Sequence, residues 1–165
     1  MKAADRLVKV HEPLQILGWV EEDVLDALGI DVVGIELLNT FFGYQNDSWK
    51  PWQTGDGTEV LVGEGFTTKV DEHGDTFIYL DGDVNSQATA KMPKCGFYFD
   101  LLVRQEPIDE NNLNPEEWLD GMYSEFTDEE LAHIEKQADY LYNNTDRAII
   151  GNFGQGGLGV QAVAH

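Results

Sequence analysis

The chain of 165 residues carries 31 acidic against 10 basic residues, a net charge of −21, and is 42% hydrophobic and 11% aromatic. That is long and apolar enough for one folded domain and too apolar for a disordered chain. The charge argues against nucleic acid and anionic membrane as partners, since both need clustered Lys and Arg, and Arg6, Arg104 and Arg147 are too scattered to grip a polyanion.

In chain order, "RLVKVHEP" (6–13) alternates and meets Glu-Pro, so it reads as a short strand leaving into a loop. "EEDVLDALGI" (21–30) places Val24, Leu25 and Leu28 at helical spacing, with acids in its first turn and Gly29 as a cap. "DVVGIELL" (31–38) follows as a continuous apolar strand of the kind buried on both faces in a parallel sheet. Residues 39–57, rich in aromatics, Gly, Asn and Pro, read as a long loop at the end of that strand, where α/β proteins place ligands; a loop merely pinned by its aromatics is the alternative.

Residues 58–83 read as a β-meander, with "DEHGD" (71–75) a hairpin signal, and "CGFYFD" adds one more strand. Residues 58–100 are thus expected to form a β-rich insertion within a single domain spanning 1–165. Helices are expected again in "NPEEWLDGM" (114–122) and in "TDEELAHIEKQADYLYNNT" (127–145). In the latter, Thr127 and Glu130 make a capping box and Leu131, Ile134, Ala138 and Leu141 an apolar stripe. "RAIIGNFGQGGLG" (147–159) reads as a buried strand running into a glycine-rich loop.

The single cysteine, Cys95, leaves no internal disulfide and no multi-cysteine zinc site. A reactive thiolate needs a His or a helix N-terminus beside it, and neither is implied at Cys95, which reads as a structural residue at a turn. No pair among the four histidines has a metal-binding helical spacing. The acid-bearing clusters at 54–57, 71–75 and 81–83 lack the EF-hand pattern and read as hairpin turns. "GQGGLG" matches a dinucleotide-binding spacing only weakly and reads as a close-packed turn. Strand-end logic makes His11, Glu36, Asn39 and Asn152 candidates for lining a small-molecule site, together with the loop aromatics Phe41, Phe42 and Tyr44.

Taken in order, "EPLQILGWVEEDVLDALGIDVVGI", a tryptophan-bearing loop, "DGTEV" and "KMPKCGFYFD" resemble the uroporphyrinogen decarboxylase superfamily, and within it the methyltransferase-like branch related to cobalamin-dependent and coenzyme M methyltransferases. Pro13, Gln15, Glu21 to Asp31 and Lys91 to Asp100 carry the match, with Cys95 standing where that family has a turn glycine. The resemblance implies the N-terminal half of a (β/α)8 TIM barrel, an α/β fold, carrying an inserted hairpin or meander.

Corrinoid-dependent methyl transfer is the implied activity, with the chain inactive by itself because half a barrel leaves its site incomplete. Zinc, held in that family by a His-x-Cys pair and a later Cys, and a corrinoid protein partner would belong to a longer polypeptide. This chain alone is expected to bind no cofactor. Decarboxylation is disfavoured: the family's arginine-rich segment is missing, and Leu38 stands at the catalytic aspartate's position with Glu36 the nearest acid. The other reading is a stand-alone module that binds a small ligand or pairs with itself as a homodimer to cover its strand edges. No apolar run reaches the roughly 18 residues of a membrane span and no signal-peptide core is visible, so the expected compartment is the cytoplasm.

Overall fold

The structure, a computed structural model, describes residues 6–102, 110–111 and 126–151. The chain folds as two compact units, Met1–Val24 with Asn39–Glu125 (unit 1) and Leu25–Leu38 with Phe126–His165 (unit 2).

Unit 1 is built from antiparallel ladders. The alternating segment at 6–13 becomes β1 (Val10–Glu12), which turns back on β2 (Leu17–Gly18). The Glu12 carboxylate closes that turn by accepting from the Leu14 and Gln15 amides, both at 2.8 Å. β4 (Trp49–Gln53) pairs with β5 (Glu59–Gly63). β6 (Thr68–Val70), β7 (Thr76–Ile78), β8 (Ala90–Met92) and β9 (Asp100–Leu101) form a four-stranded meander.

The expected 71–75 hairpin forms: Gly74 takes φ 87° and Asp71 accepts from the His73 and Asp75 amides at 2.9 Å. Asp75 then accepts from Lys91 Nζ and from the Lys94 amide, both at 3.0 Å, tying the hairpin to the turn after β8. The inward faces of these strands bury Val10, Val60, Val62, Ile78 and Met92, and the connecting segments add Phe42, Phe66 and Phe99 to one apolar cluster. Phe42, Val62 and Ile78 are fully enclosed, each worth about 1.5–3 kcal/mol of transfer free energy.

In unit 2, β3 (Val32–Ile35) pairs in parallel with β10 (Ala148–Gly151). The expected helix at 21–30 is α1 (Glu22–Leu28), ended by Gly29 at φ 65°, and the boundary between the units falls inside it. The long amphipathic pattern is α2 (Asp128–Asn144), opened by the expected capping box: the Thr127 hydroxyl accepts from the Glu130 amide at 3.2 Å and the Glu130 carboxylate from the Thr127 amide at 2.8 Å. Its less exposed face carries three of the four residues of the expected apolar stripe. Leu131 is half exposed, whereas His133 and Gln137 lie on the packed side with Ile134, Ala138 and Leu141.

The half-barrel is not what forms. Among the described residues there are two α-helices and one parallel strand pair; every other ladder is antiparallel, and the sheets are small and separate. The strand at 6–13 feeds a hairpin rather than a crossover helix. Of β3 only Ile35 is buried, where a barrel strand would be covered on both faces. The expected loop at 39–57 also contains β4, which "WKPWQ" forms despite Pro51. In a two-stranded sheet each strand is an edge, so a residue without an N–H is tolerated there. The helix expected at 114–122 and the glycine-rich 154–159 segment lie outside the described residues.

Candidate functional site

Five of the residues singled out by sequence belong to unit 1. His11 is half-buried on β1, its ring edge-on to Trp19 with centroids 5.7 Å apart, and its carbonyl accepts from Asn46 Nδ2 at 2.8 Å. Asn39 bridges Gln45 across the loop. Phe41 is exposed, while Phe42 and Tyr44 turn into the core. Burial pushes the Tyr44 phenol above its ordinary range, and the Glu12 charge adds to the shift.

Glu36 belongs to unit 2, where its main chain is clamped by α2. Its amide donates to Gln137 Oε1 at 3.2 Å and its carbonyl accepts from Gln137 Nε2 at 2.6 Å. That fixes the amide orientation of Gln137, whose Nε2 also lies 2.6 Å from His133 Nε2. His133 Nε2 also lies 3.2 Å from the Glu36 carbonyl oxygen, so His133 and Gln137 converge on it from successive turns of α2. The clamp recognises backbone and does no evident chemistry. Asn152 lies outside the described residues.

What the fold of unit 1 does assemble is a cleft of about 240 Å³ that strand-end logic did not find. Val60 and Met92, both buried, form its floor; Ile16, Trp52 and Phe97 form its walls. Trp52 is held by an edge-on contact with Phe66, centroids 5.1 Å apart. The rim is made by two turns. One is the β4–β5 turn, where Gly57 takes φ 89° and Thr54 and Thr58 close the hairpin through a 2.9 Å backbone bond. The other runs from Pro93 to Gly96, closed by a 2.7 Å bond from the Gly96 amide to the Pro93 carbonyl.

Asp56 stands at the rim. Its Oδ1 accepts from the Thr54 hydroxyl and from the Thr58 amide, the latter at 3.1 Å. The Thr54 hydroxyl first, then the Thr58 amide and hydroxyl, hold its carboxyl below the usual range, so it is ionised at neutral pH. Cys95 is exposed in the second turn. Its φ is not positive, so the turn has no need of a glycine there. In sequence, "TGDGT" signalled only a turn; that it faces an aromatic wall depends on Phe97, some forty positions away.

No group of three or more His, Cys, Asp or Glu side chains able to hold a metal occurs among the described residues, and none of the described helices is long and apolar enough to cross a membrane. No family model, no curated protein and no solved structure matches the chain.

Proposed function

We propose that unit 1 is a binding module that holds a small organic molecule in the cleft between the β4–β5 turn and the Pro93–Gly96 turn. The carrying observation is the cleft itself: an apolar floor and aromatic walls under a rim bearing one ionised carboxylate. This is the composition of small-molecule sites, which are mostly apolar with a few placed polar groups. The compartment that goes with this reading is the cytoplasm. The test is a fragment screen by NMR on the isotopically labelled protein. Compounds that bind are expected to shift the amides of Thr54, Thr58 and Gly96; hits that cluster elsewhere, or none at all, overturn the reading.

A second reading rests on the resemblance in the sequence: corrinoid-dependent methyl transfer, with zinc and a corrinoid protein engaged by a longer polypeptide; the parallel β3–β10 pair is common to α/β enzymes and is not specific to this one. Its test is the intact mass of the protein made by its native cell, together with methyl transfer from methylcobalamin to a thiol. A native species well above 18.5 kDa that transfers methyl groups supports it; a native species of 18.5 kDa without transfer removes it.

A further inference from the structure

Resting on the reading that unit 1 holds a small molecule in this cleft, we propose that the ligand is an organic monocation, an alkylated ammonium ion seated between Trp52 and Phe97 with its charge toward Asp56. Three features of the rim choose among ligand classes.

The first is sign. None of the residues lining the cleft is basic. Lys94, in the turn that forms one rim, is drawn the other way. Its stem lies along Gly74, where a Cβ would meet Lys94 Cδ at 2.9 Å, and its amide donates to Asp75 at 3.0 Å. An anion would meet Asp56 uncompensated inside a chain of net charge −21, whose field concentrates cations.

The second is the balance of donors and acceptors. The Thr54 hydroxyl and the Thr58 amide are engaged with Asp56, and the Thr54 hydroxyl also reaches the Thr58 carbonyl at 3.0 Å. These rim donors are spent within the turn. The Asp56 carboxylate adds to the negative potential, as do the Lys94 and Gly96 carbonyls, whose oxygens would lie 3.4 and 3.7 Å from a Cβ built on Gly55. A polyhydroxyl ligand needs donors as well as acceptors, whereas an ammonium ion needs only negative potential.

The third is the wall. Trp52 and the 70% exposed Phe97 offer aromatic surface, and ring faces attract cations that lack strong hydration, alkylated ammonium ions above all.

The experiment is an NMR titration of the whole chain at low salt with choline, with its neutral isostere 3,3-dimethylbutan-1-ol, and with acetate. Choline is expected to shift the Thr54, Thr58 and Gly96 amides and to bind about tenfold more tightly than the alcohol. Acetate is expected to shift none of them. Asp56→Asn, which keeps an acceptor for the Thr58 amide, should erase the preference for choline over the alcohol. Phe97→Ala removes an exposed ring without touching the core and should weaken choline several-fold. Equal binding of choline and the alcohol, or an Asp56→Asn protein that still prefers choline, overturns the monocation while leaving the small-molecule reading in place. Absence of choline shifts at millimolar concentration also overturns it; the fate of the small-molecule reading is then decided by the fragment screen alone.

Discussion

Gly63→Ala is the most exacting test of how unit 1 is packed. Gly63 is buried at the end of β5, opposite Trp49. A Cβ there would stand 2.8 Å from Tyr44 Cε2, 3.2 Å from Cδ2 and 2.8 Å from Asn46 Oδ1. Ordinary carbon–carbon contact is about 3.5–4.0 Å, so the Tyr44 ring must retreat by most of an ångström. It has little room, because it is buried in the core and its base is packed against Gly65, where a Cβ would lie 2.8 Å from Tyr44 Cγ. Overpacking of this kind costs about 1–3 kcal/mol. Alanine's lower backbone entropy in the unfolded chain returns about 0.4–1 kcal/mol, for the φ at Gly63 is not positive. A net loss of about 1.3 kcal/mol lowers the melting temperature by roughly 5–10 °C for a domain of about 100 residues. Trp19, Trp49 and Trp52 all belong to unit 1, so tryptophan fluorescence during thermal unfolding reads this unit. In a Tyr44→Ala background the ring atoms are gone and Gly63→Ala should cost at least about 1 kcal/mol less. A melting temperature within about 3 °C of the parent, or no coupling to Tyr44, refutes the packing argument.

Three further outcomes are expected. The Tyr44 phenol is raised by burial, so its contribution is fully present below the ordinary phenol value of about 10 and is lost as pH rises past it. Denaturation titrations of the parent and Tyr44→Phe should therefore diverge above that pH, the parent losing stability faster. Gln137→Ala removes the side chain's bonds to the Glu36 amide and carbonyl and should destabilise unit 2 by about 1–3 kcal/mol, read as earlier loss of helical circular dichroism; Gln137→Glu should not rescue it, since a carboxylate cannot donate to the Glu36 carbonyl. Cys95 is exposed, so a thiol reagent should label it in the native protein without denaturant, and a bulky label there should weaken ligand binding in the adjacent cleft. Labelling only after unfolding would contradict the exposed turn.

Local features of this protein were legible in its sequence because their causes are local. The Thr127–Glu130 capping box, the Gly29 stop and the 71–75 hairpin each depend on residues within a few positions, and each forms where the side chains dictate. The strand at 31–38 was also visible, and its parallel partner at 148–151 forms. What sequence periodicity could not supply is which strand lies beside which. An apolar tetrapeptide such as "VVGI" fits a barrel and a two-stranded sheet equally well, and the choice is made by pairing across more than a hundred residues. The expectation of a half-barrel failed at that step. Likewise Phe41, Phe42 and Tyr44 look alike in sequence, yet Phe42 and Tyr44 are buried while Phe41 faces out, because only the tertiary fold sets Gly63 and Gly65 beside Tyr44. The cleft is of the same kind. Thr54, Asp56 and Thr58 fold their own turn from local hydrogen bonds, but a turn becomes the rim of a site only when Met92 of a distant strand, and Gly96 and Phe97 after it, arrive against it. Turns and caps are settled by short-range donors and acceptors; sites are settled by burial, which no short stretch of sequence contains.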